Sequence, residues 1–172
     1  MFNPFTATQN KILKICIFAT GCAGIVSEFV LSTLASYLLG DSILQWTIVM
    51  SLMLFAMGLG SRSSRYFFHN LLDKFIFLEF ALSLISGASV VFCYWFSTFS
   101  RNTNLAIYLT SILIGWLIGA EIPLVARINE SYEDLRTNIS SVLENDYYGA
   151  LAGGILFAFF ALPFLGLTYT PI

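Results

Sequence analysis

Three carboxylates, Glu28, Glu121 and Asp146, are the residues of this chain whose type and setting point most directly to chemistry. Glu28 is the only charged residue between Ile15 and Gly40, and Glu121 and Asp146 each border a similarly apolar run. Keeping a charged side chain at the middle of a bilayer costs about 2.5–3.5 kcal/mol on insertion scales. A carboxylate retained there implies a task, such as pairing with a cation or carrying a proton. The other reactive types offer less. Cys16, Cys22 and Cys93 all fall in apolar runs, without metal-site or disulfide spacing, and read as small packing residues. His69, near Asn70 and Asp73, reads as a solvated loop residue. No catalytic set, cofactor cradle, metal site or nucleic-acid surface is expected.

The elements that must position these carboxylates follow from composition. With 58% hydrophobic residues, 10% charged residues and a mean hydropathy of +0.81, the chain lies outside the range of soluble globular domains. The expected fold class is an all-α integral membrane protein. Spans are expected at roughly 12–39, 42–61, 75–99, 104–123 and 146–168, forming a single transmembrane domain over 1–172. Each is helical because a backbone in lipid must satisfy its own hydrogen bonds. The first run is too long for a signal-peptide core and is expected to be retained.

Charge asymmetry orients the bundle. Lys11 and Lys14 precede the first span, Arg62, Arg65 and Lys74 lie between the second and third, and Arg127 and Arg136 between the fourth and fifth. Of the eight Lys and Arg residues only Arg101 falls on the other side. This predicts a multi-pass protein of the cell (inner) membrane with a cytoplasmic N-terminus. Ile172 is then expected outside, and the apolar ending suggests a missing sixth helix. Asn102 and Asn104 mark a polar outer turn, and Tyr37, Trp46, Tyr94, Trp95, Tyr108, Tyr147 and Tyr148 fall near span ends, as an interfacial belt would.

Small residues indicate the packing faces. Gly21, Gly24, Glu28, Ser32 and Ala35 form one stripe, which points Glu28 into the bundle. Asp146, Gly149, Ala150 and Gly153 share another face. Asp146 also stands at the expected start of its helix, so a dipole-capping role is the structural alternative. Glu121 lies on a different face from Gly115 and Gly119, and its structural alternative is an ion pair with Arg62, Arg65 or Arg127. Glu79, near Lys74, reads as an interfacial snorkelling residue. Between spans four and five, Ile128, Tyr132, Leu135, Ile139 and Val142 recur at helical spacing. Asn129, Glu130, Glu133, Asp134, Arg136 and Thr137 take the other face, so helix is expected through this cytoplasmic connection.

The stretches Ala23-Gly-Ile-Val-Ser-Glu-Phe-Val, Leu39-Gly-Asp-Ser, Phe55-Ala-Met-Gly-Leu-Gly-Ser, Gly119-Ala-Glu-Ile-Pro-Leu and Asp146-Tyr-Tyr-Gly-Ala-Leu-Ala-Gly-Gly resemble the N-terminal transmembrane region of membrane-bound spermidine synthase-like proteins, which are polyamine aminopropyltransferases. The resemblance runs from about residue 20 to 167. It marks Glu28, Gly58, Gly60, Glu121, Pro123, Asp146, Gly149 and Gly153 as motif residues without assigning them roles. Aminopropyl transfer in that family implies a Rossmann-like domain with a glycine-rich turn and an acidic loop, and neither pattern is in this chain. The chain alone is therefore not expected to catalyse the reaction. A looser similarity links Gly58-Leu-Gly-Ser-Arg-Ser-Ser-Arg65 and Gly149–Gly154 in placement to a six-helix half of the major facilitator superfamily.

Three functions are compatible with these residues. One is a membrane region that anchors a cytoplasmic aminopropyltransferase domain and binds a cationic polyamine through Glu28, Glu121 and Asp146. Another is a half-transporter for polyamines or cations that completes its pathway as a homo-oligomer, with Glu28 as the carrier. The last is a structural scaffold in which Glu28 is neutral or bonded to Ser27, Ser32 or a neighbouring helix. The lipid bilayer is an expected partner in all three, and no cofactor is expected in any.

Overall fold

Apolar runs of this length can satisfy their backbones locally only as helix, and among the described residues the fold is all-helical. The structure, a computed structural model, describes residues 4–67, 70–99, 102–130 and 135–170. Its helices are α1 (Pro4–Leu39), α2 (Ser42–Ser63), α3 (Leu71–Phe99), α4 (Thr103–Asn129) and α5 (Leu135–Leu156). A 3-10 turn, Ser64–Tyr66, follows α2. A π-helical stretch, Phe157–Leu165, continues α5 around Pro163 and leads to a last turn, α6 (Gly166–Tyr169). Five of these segments are long and apolar enough to cross a membrane.

Local chemistry sets the turns. Gly40 (φ 76°) and Asp41 (φ 43°) both take left-handed backbone, which glycine adopts freely and Asp tolerates. The Gly40 N–H reaches back to the Ser36 carbonyl at 3.1 Å, while the Asp41 carboxylate accepts the Leu44 N–H at 3.3 Å. A C-terminal glycine cap and an N-terminal aspartate cap thus meet in two residues, which reverses the chain between α1 and α2.

The helices extend past the apolar runs. α4 continues through Pro123, because that residue's missing N–H deprives only the Gly119 carbonyl of its partner. The connection from α4 to α5 differs from the amphipathic pattern in the sequence. Tyr132, Glu133 and Asp134 lie outside the described residues, as do His69 and Arg101. Ile128 is half-buried and Val142 buried, but Ile139 is exposed and Asn129 and Asn138 are buried. Asn129 Nδ2 donates to Asn138 Oδ1 at 2.9 Å, and Asn138 Nδ2 donates to the Ala126 carbonyl at 2.6 Å. These bonds offset part of the cost of burying both amides, and Asn129 Oδ1 is left without a partner.

Glycines set the helix packing. In the pair α2/α4, a methyl group on Gly115 would lie 2.7 Å from the Met53 carbonyl oxygen, and one on Gly60 or Gly119 would strike the main chain of Trp116 or Met57. In the pair α1/α5, Gly149 and Gly153 rest on the main chain of Phe18 and Cys22, and Gly21 on Asp146. Backbones can come this close only where Cβ is absent. Hydrogen bonds from Thr20 to Glu79 and between Ser27 and Ser86 lay α3 alongside α1 in the same direction. α4 is enclosed most and α5 least. The core runs through Val30, Leu31, Leu34, Val49, Met53, Ile107, Ile114 and Leu124. The outer surface carries exposed aromatic residues such as Phe77, Phe159 and Phe164.

Candidate functional site

α4 is covered on two sides. Its Gly115 and Gly119 face α2, so Glu121, which lies on a different face of the helix, is turned away from α2. The Glu121 side chain is fully buried, at 0% exposure, and neither Oε1 nor Oε2 has a hydrogen-bond partner. It lies close enough to Glu79 of α3 and Asp146 of α5 for their charges to interact. The ion pair considered as its structural alternative is not formed. Arg127 gives Nη1 to the Ser64 carbonyl at 3.0 Å and Nη2 to the Phe67 carbonyl at 2.7 Å. Arg62 and Arg65 are exposed. Arg127 therefore ties α4 to the end of α2 and does not hydrogen-bond Glu121.

Asp146 is not a helix-start residue. α5 begins at Leu135, about three turns earlier, so the capping explanation does not apply. The side chain is half-buried against α1, where a methyl group on Gly21 would lie 2.8 Å from Asp146 Oδ1. The glycine is what lets α5 bring this carboxylate against α1.

Glu79, expected at the membrane interface, belongs instead to the interior contacts of the bundle. It does not snorkel toward Lys74, whose Nζ sits 5.0 Å from the centre of the Phe67 ring. Glu79 is half-buried, and its Oε1 lies 2.6 Å from the Thr20 hydroxyl. The same hydroxyl is 2.9 Å from the Cys16 carbonyl, so one proton serves two acceptors. The signal was in the spacing: Glu79 follows Phe75 by four residues and precedes Ser86 by seven, and both are buried on the inner face of α3.

Thr20 and Gly21, adjacent on α1, touch Glu79 and Asp146. Glu79 and Asp146 thus lie against one turn of α1, and Glu121 on α4 is within electrostatic reach of both. Glu28 is elsewhere. It lies eight residues beyond Thr20, about 12 Å along the helix, half-buried on the face that carries Gly21 and Gly24. The hydrogen bonds considered for it are not made: Ser27 Oγ pairs with Ser86 Oγ at 2.6 Å, and buried Ser32 Oγ has no partner.

Among the described residues no group of three His, Cys, Asp or Glu side chains is arranged to hold a metal ion. Cys16 and Cys22 are half-buried and Cys93 is buried, all as free thiols. The arrangement presents a strongly acidic interior, able to bind an organic cation or to take up protons.

No family model matches the chain, and no solved structure matches it significantly. Relatives of known name do match. The chain is 50% identical over 167 residues to polyamine aminopropyltransferase 2 of Aquifex aeolicus, an alignment covering 95% of this chain and 33% of that protein. It is 37% identical to the polyamine aminopropyltransferase of Oceanobacillus iheyensis, over 99% of this chain and 34% of the relative. With the enzyme of that name from Leptospira interrogans the identity is 38%, over 94% and 32%. The chain spans about a third of the length of the curated relatives it matches. Near-complete coverage on one side and a third on the other mean that the chain resembles the helical N-terminal part of spermidine synthase-like proteins.

Proposed function

We propose that this chain is the membrane-embedded region of a spermidine synthase-like protein, that it holds a polyamine-synthesising domain at the cytoplasmic face, and that it binds a cationic polyamine with its intramembrane carboxylates. The observation that carries the binding role is Glu121, fully buried with both oxygens unpartnered beside two further acids. An isolated carboxylate in a low-dielectric interior is costly, and a cationic ligand offsets that cost by pairing with it. The relatives are named for polyamine chemistry, and they are about three times longer than this chain, which leaves room for a linked catalytic domain. The five long apolar helices support the membrane setting, and the distribution of Lys and Arg supports the cytoplasmic placement of the N-terminus.

Equilibrium dialysis of spermidine against the purified chain in lipid nanodiscs tests the binding role. Saturable binding that weakens in Glu121→Gln is expected. A parent protein that binds no polyamine would remove the reading.

Glu28 favours a second reading. A half-buried carboxylate deep in α1, without a serine partner, suits a carrier in a half-transporter for polyamines or cations. Proteoliposomes should then show polyamine or cation flux driven by a pH gradient and lost in Glu28→Gln. Absence of flux would leave Glu28 as a packing residue of a scaffold.

A further inference from the structure

The binding role proposed above leaves open which carboxylates hold the ligand and what kind of cation fits them. We infer that the site is formed by Glu79, Glu121 and Asp146 together with the Thr20 hydroxyl, that it takes the primary ammonium end of a linear aliphatic amine, and that Glu28 lies outside it. This rests on the amine-binding reading of the preceding subsection.

Glu121 anchors the site. Its two oxygens are enclosed and unpartnered, so acceptor capacity is present and unused. Glu79 of α3 and Asp146 of α5 act on it electrostatically, and their positions are held by α1. Thr20 donates toward Glu79 Oε1 at 2.6 Å, and Gly21 leaves room for Asp146 to lie against the helix. Four helices thus contribute to one place, and no two of the three acids come from the same helix. Such convergence needs the tertiary fold.

Carboxylate chemistry sets the ligand class. Glu121 lies within electrostatic reach of both Glu79 and Asp146, and the three do not form a metal-holding group. They suit an organic cation. A primary ammonium carries three N–H donors that diverge from one nitrogen, which suits acceptors presented by more than one helix. Charge-assisted hydrogen bonds of this kind are roughly twice as strong as neutral ones. The buried side chains of Ile17, one turn before Gly21, and Ile118, three residues before Glu121, supply apolar surface for the methylenes behind the ammonium. Glu28 sits about 12 Å further along α1. Between the two levels Gly24 is in contact with Ile118, at 3.4 Å from where a Cβ would stand, which separates Glu28 from the cluster.

Isothermal titration of spermidine into the chain in nanodiscs, with calcium chloride as competitor, tests the assignment. Glu79→Gln and Glu121→Gln are each expected to weaken binding by roughly tenfold or more, and Thr20→Val by about two- to fivefold. Glu28→Gln should stay within about twofold of the parent, and calcium should not displace spermidine. Helicity and a monodisperse elution profile verify folding. If Glu79→Gln does not fold, Glu79→Asp, which keeps the charge and withdraws it by one methylene, decides in its place and should bind more weakly than the parent. Parental affinity in the Glu79 variant, loss in Glu28→Gln alone, or displacement by calcium would each overturn this assignment while the amine-binding function stands. Absence of spermidine binding to the parent would overturn both.

Discussion

Glu121 shows how a residue can be conspicuous in sequence and still be misjudged in setting. Its neighbours in the chain, Pro123 and Arg127, suggest an interfacial acid with a cation at hand, yet Arg127 is committed to the Ser64 and Phe67 carbonyls. Glu121 is left buried and unpartnered. A group of this kind lowers the stability of the ligand-free fold, and binding sites commonly carry such a cost. Glu121→Leu should therefore raise the thermal midpoint of the amine-free protein, by an amount equivalent to about 1–3 kcal/mol. It should also abolish the rise in midpoint that spermidine gives the parent through preferential binding to the folded state. A lowered midpoint in the amine-free variant would mean that the carboxyl has a structural partner. Glu79 is the opposite case. Its sequence neighbours hide it, because Lys74 offers a ready pairing, whereas the contact that defines it comes from Thr20, far away in the chain.

Among the elements, the two glycine-mediated pairs give the bundle its shape. Gly115 and Gly119 on α4 and Gly149 and Gly153 on α5 each repeat at four residues, and all four sit against the main chain of a neighbour. Gly58 looks equivalent in sequence but has nothing within 4 Å of its Cβ position. The two classes should separate on substitution. Gly119→Ala forces α2 and α4 apart at Met57 and should destabilise by about 1–3 kcal/mol. Gly58→Ala gains helix propensity and should be neutral or stabilising by up to about 1 kcal/mol. Unfolding in graded denaturing detergent, followed by helicity, measures both, and equal effects would mean that α2 and α4 do not pack through glycine. The stripe of Gly21, Gly24, Ser32 and Ala35 was legible in the same way, and all four are buried. The Asn129–Asn138 pair was not. Asn129 alone reads as a residue of the polar face, and its contact with Asn138 accounts for the burial of both while Ile139 is exposed.

For the whole molecule, the acidic site lies where α1/α5, α4 of the second pair, and α3 meet, near the end of the bundle that carries Arg62, Lys74 and Arg127. In the proposed orientation, that end faces the cytoplasm. In a background without native cysteines, a cysteine at Ser61 should be labelled by an impermeant maleimide only after the membrane is opened. A cysteine at Asn104 should be labelled in intact cells. The reverse pattern would place the acidic site near the outer face and detach it from any cytoplasmic amine supply. Apolar runs about 20 residues long can be satisfied only as helices, and so the sequence alone determined the all-α class, the number of long helices and the small-residue faces along which they pack. It also marked Glu28, Glu121 and Asp146 as exceptional. Which acids stand together was decided by tertiary structure. Glu79 joins Glu121 and Asp146, and Glu28 stands apart, because proximity among helices depends on their order, direction and vertical register. Those are set by contacts such as Thr20 with Glu79 and Gly21 with Asp146, between residues widely separated in the chain.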